Sequence, residues 1–333
     1  PELTPGEVLA LVREAADLGA LWCLLTGGEP LLRDDVAEVY VGLKRLGLLV
    51  SVFTNAGLVT PAHVELFRRY PPRDLEVTVY GATRETYETL TRRPGSYASF
   101  RRGLDLLLAA GLPVRLKAMA LRSNLHELDE IGRFCRERTA DYYRFDPFLH
   151  LRLDGDEARN AEIRAERLTP DEVVAVEGAD AERIVALHRG CRDGTLVWPD
   201  THEVCTYGLD RLFHCGAGEA SFAVSFDGTF KLCAALCHPE TVFALRADGG
   251  GPGTLREGAL REAWQEWVPH VRGLRSADPG YLEKCRGCGI VNLCAWCPAH
   301  AALETGRLGT WVERFCEVAH ARAAALSETY QPE

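Results

Sequence analysis

The residues with the clearest chemical potential are cysteines near the carboxyl end of the chain. Four of them lie in the segment CRGCGIVNLCAWCPAH with the spacing C-x2-C-x5-C-x2-C, at Cys285, Cys288, Cys294 and Cys297. Three more stand outside that segment, at Cys215, Cys233 and Cys316. Paired CxxC motifs supply thiolates at the close spacing that metal ions and iron–sulfur clusters need. The pattern therefore indicates an inorganic site.

Zinc and iron–sulfur clusters place different demands on this spacing. Structural zinc ribbons separate their two CxxC pairs by some 15 to 20 residues so that both pairs face one ion, whereas five residues separate the pairs here. In two-cluster ferredoxins the last cysteine of such a run precedes a proline and binds the other cluster. Cys297 precedes Pro298, so the pattern favours two [4Fe–4S] clusters over zinc.

Two ligand groups follow from this interpretation. The first cysteine group comprises Cys215, Cys233 and Cys297, and the second comprises Cys285, Cys288, Cys294 and Cys316. A fourth ligand of the first group is left open, because Cys237 and Cys205 are both candidates and the position could also be open to substrate. Free cysteines commonly behave as small buried apolar residues, which is the interpretation we favour for Cys23 and Cys135.

Composition excludes several classes of protein. The net charge is -10 and the arginines are interleaved with acidic residues, which argues against a nucleic-acid surface, since phosphate binding requires clustered cations. No window approaches 18 unbroken apolar residues, so we expect no membrane span. The CxxC pairs lie too close in sequence to join distant loops, which favours thiol ligation in a reducing cytoplasm over secreted disulfides.

Helical and strand-like segments alternate over the first 145 residues. Thr4 and Glu7 have the spacing of a capping box, and apolar residues with helical periodicity follow until Gly19. The predicted strands are, in chain order, LWCLLT, LLVSVFT, LEVTVYG, VRLKAMAL and DYYRFDPFL. Amphipathic stretches such as DDVAEVYVGLKRLG separate them. Repeated βα units predict a parallel α/β sheet, open or closed into a barrel.

The carboxyl ends of these strands carry polar residues and glycines. In parallel α/β folds the ligands bind beyond those ends, in the βα loops. We expect one common site formed by Thr26–Glu29, Thr54, Asn55, the pair Tyr80 and Gly81, and Asp146. Gly27 and Gly28 let a ligand approach the backbone closely, and the Glu29 carboxylate suits an ammonium or sulfonium cation.

Together these motifs resemble the radical S-adenosylmethionine (SAM) family. The segments TGGEP, FTNAG and VTVYG follow successive strands, and the cysteine pattern C-x12-G-x4-C is similar to the SPASM extension that carries auxiliary clusters. The resemblance implies a partial (β/α)6 barrel in which Gly27, Gly28 and Glu29 bind the SAM amino group. It further implies that Thr26, Thr54 and Asn55 line the same cavity and that Thr78 and Lys117 approach the SAM carboxylate.

The resemblance also implies domains and a missing motif. Residues 1–150 would form the partial barrel, 151–204 a helical linking region, and 205–333 a cysteine-rich α+β SPASM domain with two auxiliary clusters. Members of the family hold a third, catalytic cluster with CxxxCxxC, a motif that these 333 residues lack. We expect that segment just upstream of Pro1, because the first strand seen here behaves as the family's second.

The resemblance implies a peptide or protein maturase as the function. Cleavage of SAM to a 5'-deoxyadenosyl radical, hydrogen abstraction and formation of a thioether or carbon–carbon crosslink in a ribosomally made precursor would follow, with flavodoxin or ferredoxin as reductant. Asp146 is a candidate base for a radical intermediate and equally a candidate turn cap. Formylglycine formation by a sulfatase-type maturase is one alternative, and a non-catalytic electron-transfer or zinc-binding protein is another. Nucleic acid and membranes are not expected as partners.

Overall fold

The chain forms two compact units. The structure is a computed structural model, and it describes residues 2–140, 144–192, 210–247, 250–285 and 288–329. The first unit comprises Pro1–Leu149 and Gly250–Arg261, and the second comprises His150–Gly249 and Glu262–Glu333. Among the described residues, no helix combines the length and the apolar character that crossing a membrane requires. The functional division at residues 151–204 and 205–333 remains a prediction.

A parallel sheet forms the centre of the first unit. Its strands are β1 (Trp22–Leu25), β2 (Leu49–Thr54), β3 (Leu75–Val79), β4 (Val114–Met119) and β5 (Arg144–Asp146). They are hydrogen-bonded in sequence order and every neighbouring pair is parallel. This is the connectivity of successive βα units, and it confirms the predicted α/β fold of the partial-barrel type. Each strand falls within the sequence segment predicted for it.

Helices connect the strands of this sheet. They are α1 (Pro5–Asp17), α2 (Val36–Arg45), α3 (Pro61–Arg69), α4 (Arg84–Thr91), α5 (Ser96–Ala109) and α6 (Leu128–Arg136). The predicted capping box is present at the start of α1, where the Thr4 hydroxyl accepts a hydrogen bond from the Glu7 N–H and the Glu7 carboxylate accepts one from the Thr4 N–H. Such a box satisfies two backbone donors that a helix start leaves open.

The two faces of the sheet differ in chemistry. One face, the apolar face, carries residues that are at most 5% exposed: Val50, Val52, Leu75, Val77, Val79, Val114, Leu116 and Ala118. Helices α2 and α6 contact strands β2 and β4. The opposite face, the polar face, carries Ser51, Glu76, Thr78, Arg115, Lys117, Arg144 and Asp146, which alternate with the apolar residues along their strands. Successive strand residues point to opposite sides, so this alternation separates a packed core from a surface that can face ligands.

The second unit is mainly helical with a small antiparallel sheet. Its helices are α7 (Glu157–Glu166), α8 (Pro170–Gly178), α9 (Ala181–Arg192), α11 (Val268–Arg272), α12 (Pro279–Lys284), α13 (Pro298–Thr305) and α14 (Glu313–Thr329). The short helix α10 (Ala259–Glu262) begins in the first unit, and a π-helical turn at Ala263–Trp267 follows it in the second. The sheet contains β6 (Ala223–Val224), β7 (Thr229–Lys231) and β8 (Val242–Ala244). Both pairings in it are antiparallel.

A buried ion pair joins α8 to α14 in this unit. Glu177 on α8 is 1% exposed, and its two carboxylate oxygens accept hydrogen bonds from Arg322 on α14 at 2.6 and 2.7 Å. The third bond of the guanidinium, at 2.7 Å, goes to the backbone carbonyl of Leu293. Arg183 on α9 donates to the same carboxylate from a more exposed position. The network therefore fixes the backbone immediately before Cys294.

Candidate functional site

The loop after β1 presents exposed backbone at the carboxyl edge of the sheet. Thr26, Gly27 and Gly28 are all exposed. Gly27 adopts a φ of +131°, a conformation that side chains disfavour, so glycine is required there by the backbone alone. A Cβ added to Gly28 would meet no atom within 4 Å. Packing among the described residues therefore does not explain Gly28, and open space faces it where a ligand can approach.

The Glu29 carboxylate connects this loop to the end of β2. It accepts hydrogen bonds from the Leu31 N–H at 3.1 Å, the Thr54 hydroxyl at 2.8 Å and the Asn55 N–H at 2.7 Å. The sequence predicted Glu29 as a direct partner for a ligand cation, whereas here most of its acceptor capacity serves neighbouring residues. Its negative charge persists beside the loop, so Glu29 both shapes the loop and makes the edge attractive to a cation.

Asn124 and Glu127 hold the loop after β3. The Asn124 side chain is fully buried and donates to the carbonyls of Tyr80 and Met119, joining the ends of β3 and β4. Glu127 accepts hydrogen bonds from the N–H groups of Ala82 and Thr83, and hydroxyls of the same segment add two more. Burial raises the pKa of the Glu127 carboxyl, but these hydrogen bonds outweigh that effect and lower it overall.

Tyr80 lies close to Glu29, on the loop that Asn124 holds. Burial raises the pKa of the Tyr80 phenol, and the negative charge of Glu29 raises it further. The phenol therefore stays protonated at neutral pH and is able to donate a hydrogen bond. The loops after β1, β2 and β3 thus meet at one edge of the sheet, as the sequence predicted from strand order.

Three charged residues, Glu76, Lys117 and Arg144, form a charged layer on the polar face of the sheet. The Glu76 carboxylate, 2% exposed, accepts Lys117 at 2.6 Å and is also paired with Arg144. Lys117 lies opposite Thr78 in the register of β3 and β4, and its ammonium group stands 4.5 Å from the centre of the Phe53 ring. The Glu76 carboxylate is thus paired with two cations, Lys117 and Arg144. Lys117 is therefore held in place by Glu76, and the layer keeps an excess of positive charge.

Asp146 lies at the carboxyl end of β5 and is exposed. One of its carboxylate oxygens accepts the Phe148 N–H at 2.8 Å, which is a local turn contact. The second oxygen leaves acceptor capacity for another group. Of the two roles considered from sequence, turn cap and base, the structure shows the contact that belongs to the turn cap.

The second cysteine group is assembled in the second unit. Burial raises the pKa of Cys285 to about 12, and the thiols of Cys294, Cys288 and Cys316 contribute to the rise. Burial likewise raises the pKa of Cys294 to about 11, with further contributions from Cys288 and Cys316. Such mutual effects require the sulfurs to lie near one another. The structure thus brings together the four cysteines that sequence spacing had grouped.

The first cysteine group is assembled in the same way. Burial raises the pKa of Cys233, and the thiols of Cys297 and Cys215 raise it further. Cys237 presents a different environment, because its sulfur lies 2.9 Å from the ammonium nitrogen of Lys231. The other candidate ligand, Cys205, lies outside the described residues.

Backbone amides point at several of these sulfurs. The Trp296 N–H donates to the sulfur of Cys294 at 3.5 Å, and the His300 N–H donates to that of Cys297 at 3.4 Å. Hydrogen bonds of this kind stabilise metal-bound thiolates and tune cluster potentials. Within the described ranges, no three His, Cys, Asp or Glu side chains are arranged to share one metal ion. In a [4Fe–4S] cluster each thiolate binds a separate iron, and the donor set and its amides fit such a group.

Part of this chain matches a known protein family. The first unit is an α/β domain with an open parallel sheet and exposed loops at its carboxyl edge, in one chain with a cysteine-rich second unit. Residues 1–135 match the profile of the Radical SAM superfamily. Those residues therefore form a Radical SAM domain.

Relatives of this chain differ in their described activities. It is 29% identical over 317 residues to an AdoMet-dependent heme synthase of Methanosarcina barkeri, covering 92% of this chain and 85% of that protein. It is 28% identical over 286 residues to a PqqA peptide cyclase of Ruegeria pomeroyi, covering 84% and 70%. Streptococcus suis SuiB bound to S-adenosylmethionine has a similar fold, with a TM-score of 0.63, 14% identity, and coverage of 95% of this chain and 70% of SuiB.

Sequence reasoning missed several residues that shape the site. Glu76, Arg144, Asn124 and Glu127 were not singled out, although they position Lys117 and the loop after β3. A signal was available for Glu76 and Arg144, because charged residues alternate with apolar ones in LEVTV and RFD. Strands buried on both faces read as continuous apolar runs, so this alternation indicates that one face meets solvent or ligand.

Proposed function

We propose that this protein is a radical SAM enzyme that modifies a peptide or protein with the help of two auxiliary [4Fe–4S] clusters. The observation that carries the proposal is the assembly of seven cysteines into two groups within one unit. Grouped thiols of this kind are the donor set that iron–sulfur clusters use. Auxiliary clusters provide an acceptor for electrons removed from the substrate.

The carboxyl edge of the sheet is the proposed SAM site. When bound, SAM supplies the hydrogen-abstracting chemistry, while this chain binds and orients it. The exposed backbone of Thr26, Gly27 and Gly28 offers carbonyl oxygens to the amino group, and the Glu29 charge favours a cation there. Thr54 and Asn55 hold Glu29 in that position.

The polar face is proposed to bind the reacting groups next to that site. Lys117 and Arg144 offer positive charge around the buried Glu76, which suits a carboxylate of SAM or of the substrate. Thr78 adds a hydroxyl in the same register. Asp146, at the exposed end of β5, has acceptor capacity for a proton released from the substrate.

A crosslink requires a balanced loss of two electrons and two protons from the peptide. One hydrogen atom leaves in the abstraction step, and the new carbon–sulfur or carbon–carbon bond then releases one electron and one proton. A cluster held by the cysteine groups would supply an acceptor for that electron, and a base such as Asp146 would take the proton. The relative described as a PqqA peptide cyclase supports a peptide substrate, as does the structure of SuiB bound to its precursor peptide SuiA.

A role in heme synthesis is the second candidate. The relative described as an AdoMet-dependent heme synthase matches more of this chain than the peptide cyclase does. Heme precursors carry several carboxylates, for which the excess positive charge around Glu76 provides partners. We rank this candidate second because the positive layer comprises two cations and is partly neutralised by Glu76.

Anaerobic analysis of the natural full-length protein tests the proposal. We expect about twelve irons per chain if two auxiliary clusters and one catalytic cluster are present, with SAM cleaved only when a reductant is added. A peptide substrate should then lose two hydrogen atoms in its mass spectrum. Zinc in place of iron would overturn the proposal. Product formation from a heme precursor and not from peptides would establish the second candidate.

A further inference from the structure

Lys231 is a buried cation with an unusual partner. Lys231 is the last residue of β7 and is 8% exposed. Its ammonium nitrogen lies 2.9 Å from the sulfur of Cys237. Within the part of the second unit that the structure describes, no carboxylate forms an ion pair with Lys231. A buried ammonium group is costly unless an anion lies close to it.

Three arginines of the same unit show how its buried or half-buried cations are paired with carboxylates. Arg322, 6% exposed, is paired with Glu177, and the half-buried head of Arg183 joins the same carboxylate. The side chain of Arg167 is 8% exposed and is paired with Glu304. A neutral thiol is a weak hydrogen-bonding group and brings no charge. Lys231 therefore lacks the negative charge that its counterparts have, unless the sulfur of Cys237 carries one.

The chain around Lys231 leads directly into the first cysteine group. Cys233 follows Lys231 by two residues, and the Leu236 N–H closes a turn on the Cys233 carbonyl at 3.2 Å. Cys237 is the next residue after that turn. Its backbone thus returns close to Cys233, whose thiol interacts with those of Cys297 and Cys215. The fourth ligand of the first cysteine group, beside these three thiols, was left open by the sequence.

We infer that Cys237 is the fourth thiolate ligand of the first cysteine group and that Lys231 is its charge partner. This inference rests on the proposed function, because it requires an iron–sulfur cluster at that group. Iron keeps the sulfur as a thiolate, which supplies the anion that the buried ammonium group needs. Lys231 is accordingly a positioning and tuning residue that acts on the cluster through Cys237.

A defined electronic effect follows from that contact. Hydrogen bonds and positive charge near a ligand sulfur favour the reduced, more negative state of a cluster. Lys231 should therefore raise the reduction potential of the first auxiliary cluster. Replacing it with methionine, which has similar length and no charge, should shift that potential to more negative values, and arginine should restore part of the shift.

Iron analysis and redox titration of the anaerobically purified protein test the inference. The variants are C237S, K231M and K231R, and the control is C23S, which removes a thiol from β1 in the other unit. We expect C237S to contain about four irons fewer per chain than C23S. We expect K231M to keep its iron but to show one cluster signal at a more negative potential in an EPR-monitored titration.

Each outcome has a defined meaning. Equal iron in C237S and C23S would overturn the inference and point to Cys205 or to a position open to substrate. If C237S lost all its iron through misfolding, the Lys231 variants would decide, and equal potentials in K231M and the unmodified protein would overturn the inference. Zinc or no metal in the unmodified protein would instead overturn the proposed function, which separates the two failures.

Discussion

Replacing Arg322 with methionine tests the buried ion pair between α8 and α14. Methionine keeps much of the side-chain volume but removes the hydrogen bonds of the guanidinium, among them two to Glu177 and one to the Leu293 carbonyl. Glu177 is 1% exposed and keeps Arg183 as a partner. Breaking a buried ion pair by removing one member costs about 3–5 kcal/mol, because the remaining charge stays buried.

The expected shift is large enough to measure by urea denaturation. With a urea dependence of about 2 kcal/mol per molar, a loss of about 3–5 kcal/mol moves the midpoint by roughly 1.5–2.5 M. Hydrogen exchange at the amides of α8 and α14 then assigns the loss to the second unit. Under the proposed function, iron should also leave the second cysteine group faster, because Leu293 precedes Cys294 and its carbonyl would lose its partner.

Two further variants make this test specific. R183M removes a more exposed partner of the same carboxylate, for which we expect a cost of about 1 kcal/mol or less. The double variant E177M/R322M replaces the pair by apolar side chains and should recover most of the stability that R322M loses. The reasoning is refuted if R322M costs no more than R183M, or if the double variant is as unstable as R322M.

Three predictions concern the first unit. G27A should destabilise the protein by about 1–3 kcal/mol in thermal unfolding, because Gly27 has a φ of +131°. G28A should leave stability unchanged and weaken SAM binding in calorimetry. The prediction is contradicted if the two variants have equal effects on stability and on SAM binding. E29Q removes one charged acceptor and should weaken SAM binding about tenfold, with E38Q on α2 as control; unchanged affinity would exclude a positioning role. The pKa of Glu127 is lowered by folding, so its stabilising effect is lost as the pH falls below about 4.3; E127Q should flatten the dependence of stability on pH in that range, and an identical profile would contradict the assignment.

Strand order and strand ends were predictable because they depend on local sequence. Apolar runs followed by glycine or polar residues mark the end of each strand, and parallel connection places those ends at one edge. Thr26–Glu29, Thr54 and Asn55 were predicted as candidate site residues in this way. The grouping of the cysteines was similarly accessible, because CxxC spacing restricts which thiols are able to face one another.

Contacts between distant segments were not predictable from local patterns. Glu29 looked like a free carboxylate for a ligand, yet it accepts hydrogen bonds from Thr54 and Asn55, some 25 residues away. Lys117 looked available for a SAM carboxylate, yet Glu76 already binds it. In both cases register across strands decides the partner, and no periodicity within a single segment contains that information.

The alternation of the sheet has an evolutionary consequence. Residues on the apolar face form the packed core of the first unit, while under the proposed function residues such as Thr78 and Arg144 on the polar face would face the bound groups. Under the proposed function, a substitution such as Thr78→Ser would be expected to change substrate preference without opening a cavity in the core. Directed evolution of a new activity should succeed most readily when a library varies every second residue of β3 and β4 and keeps the residues between them fixed.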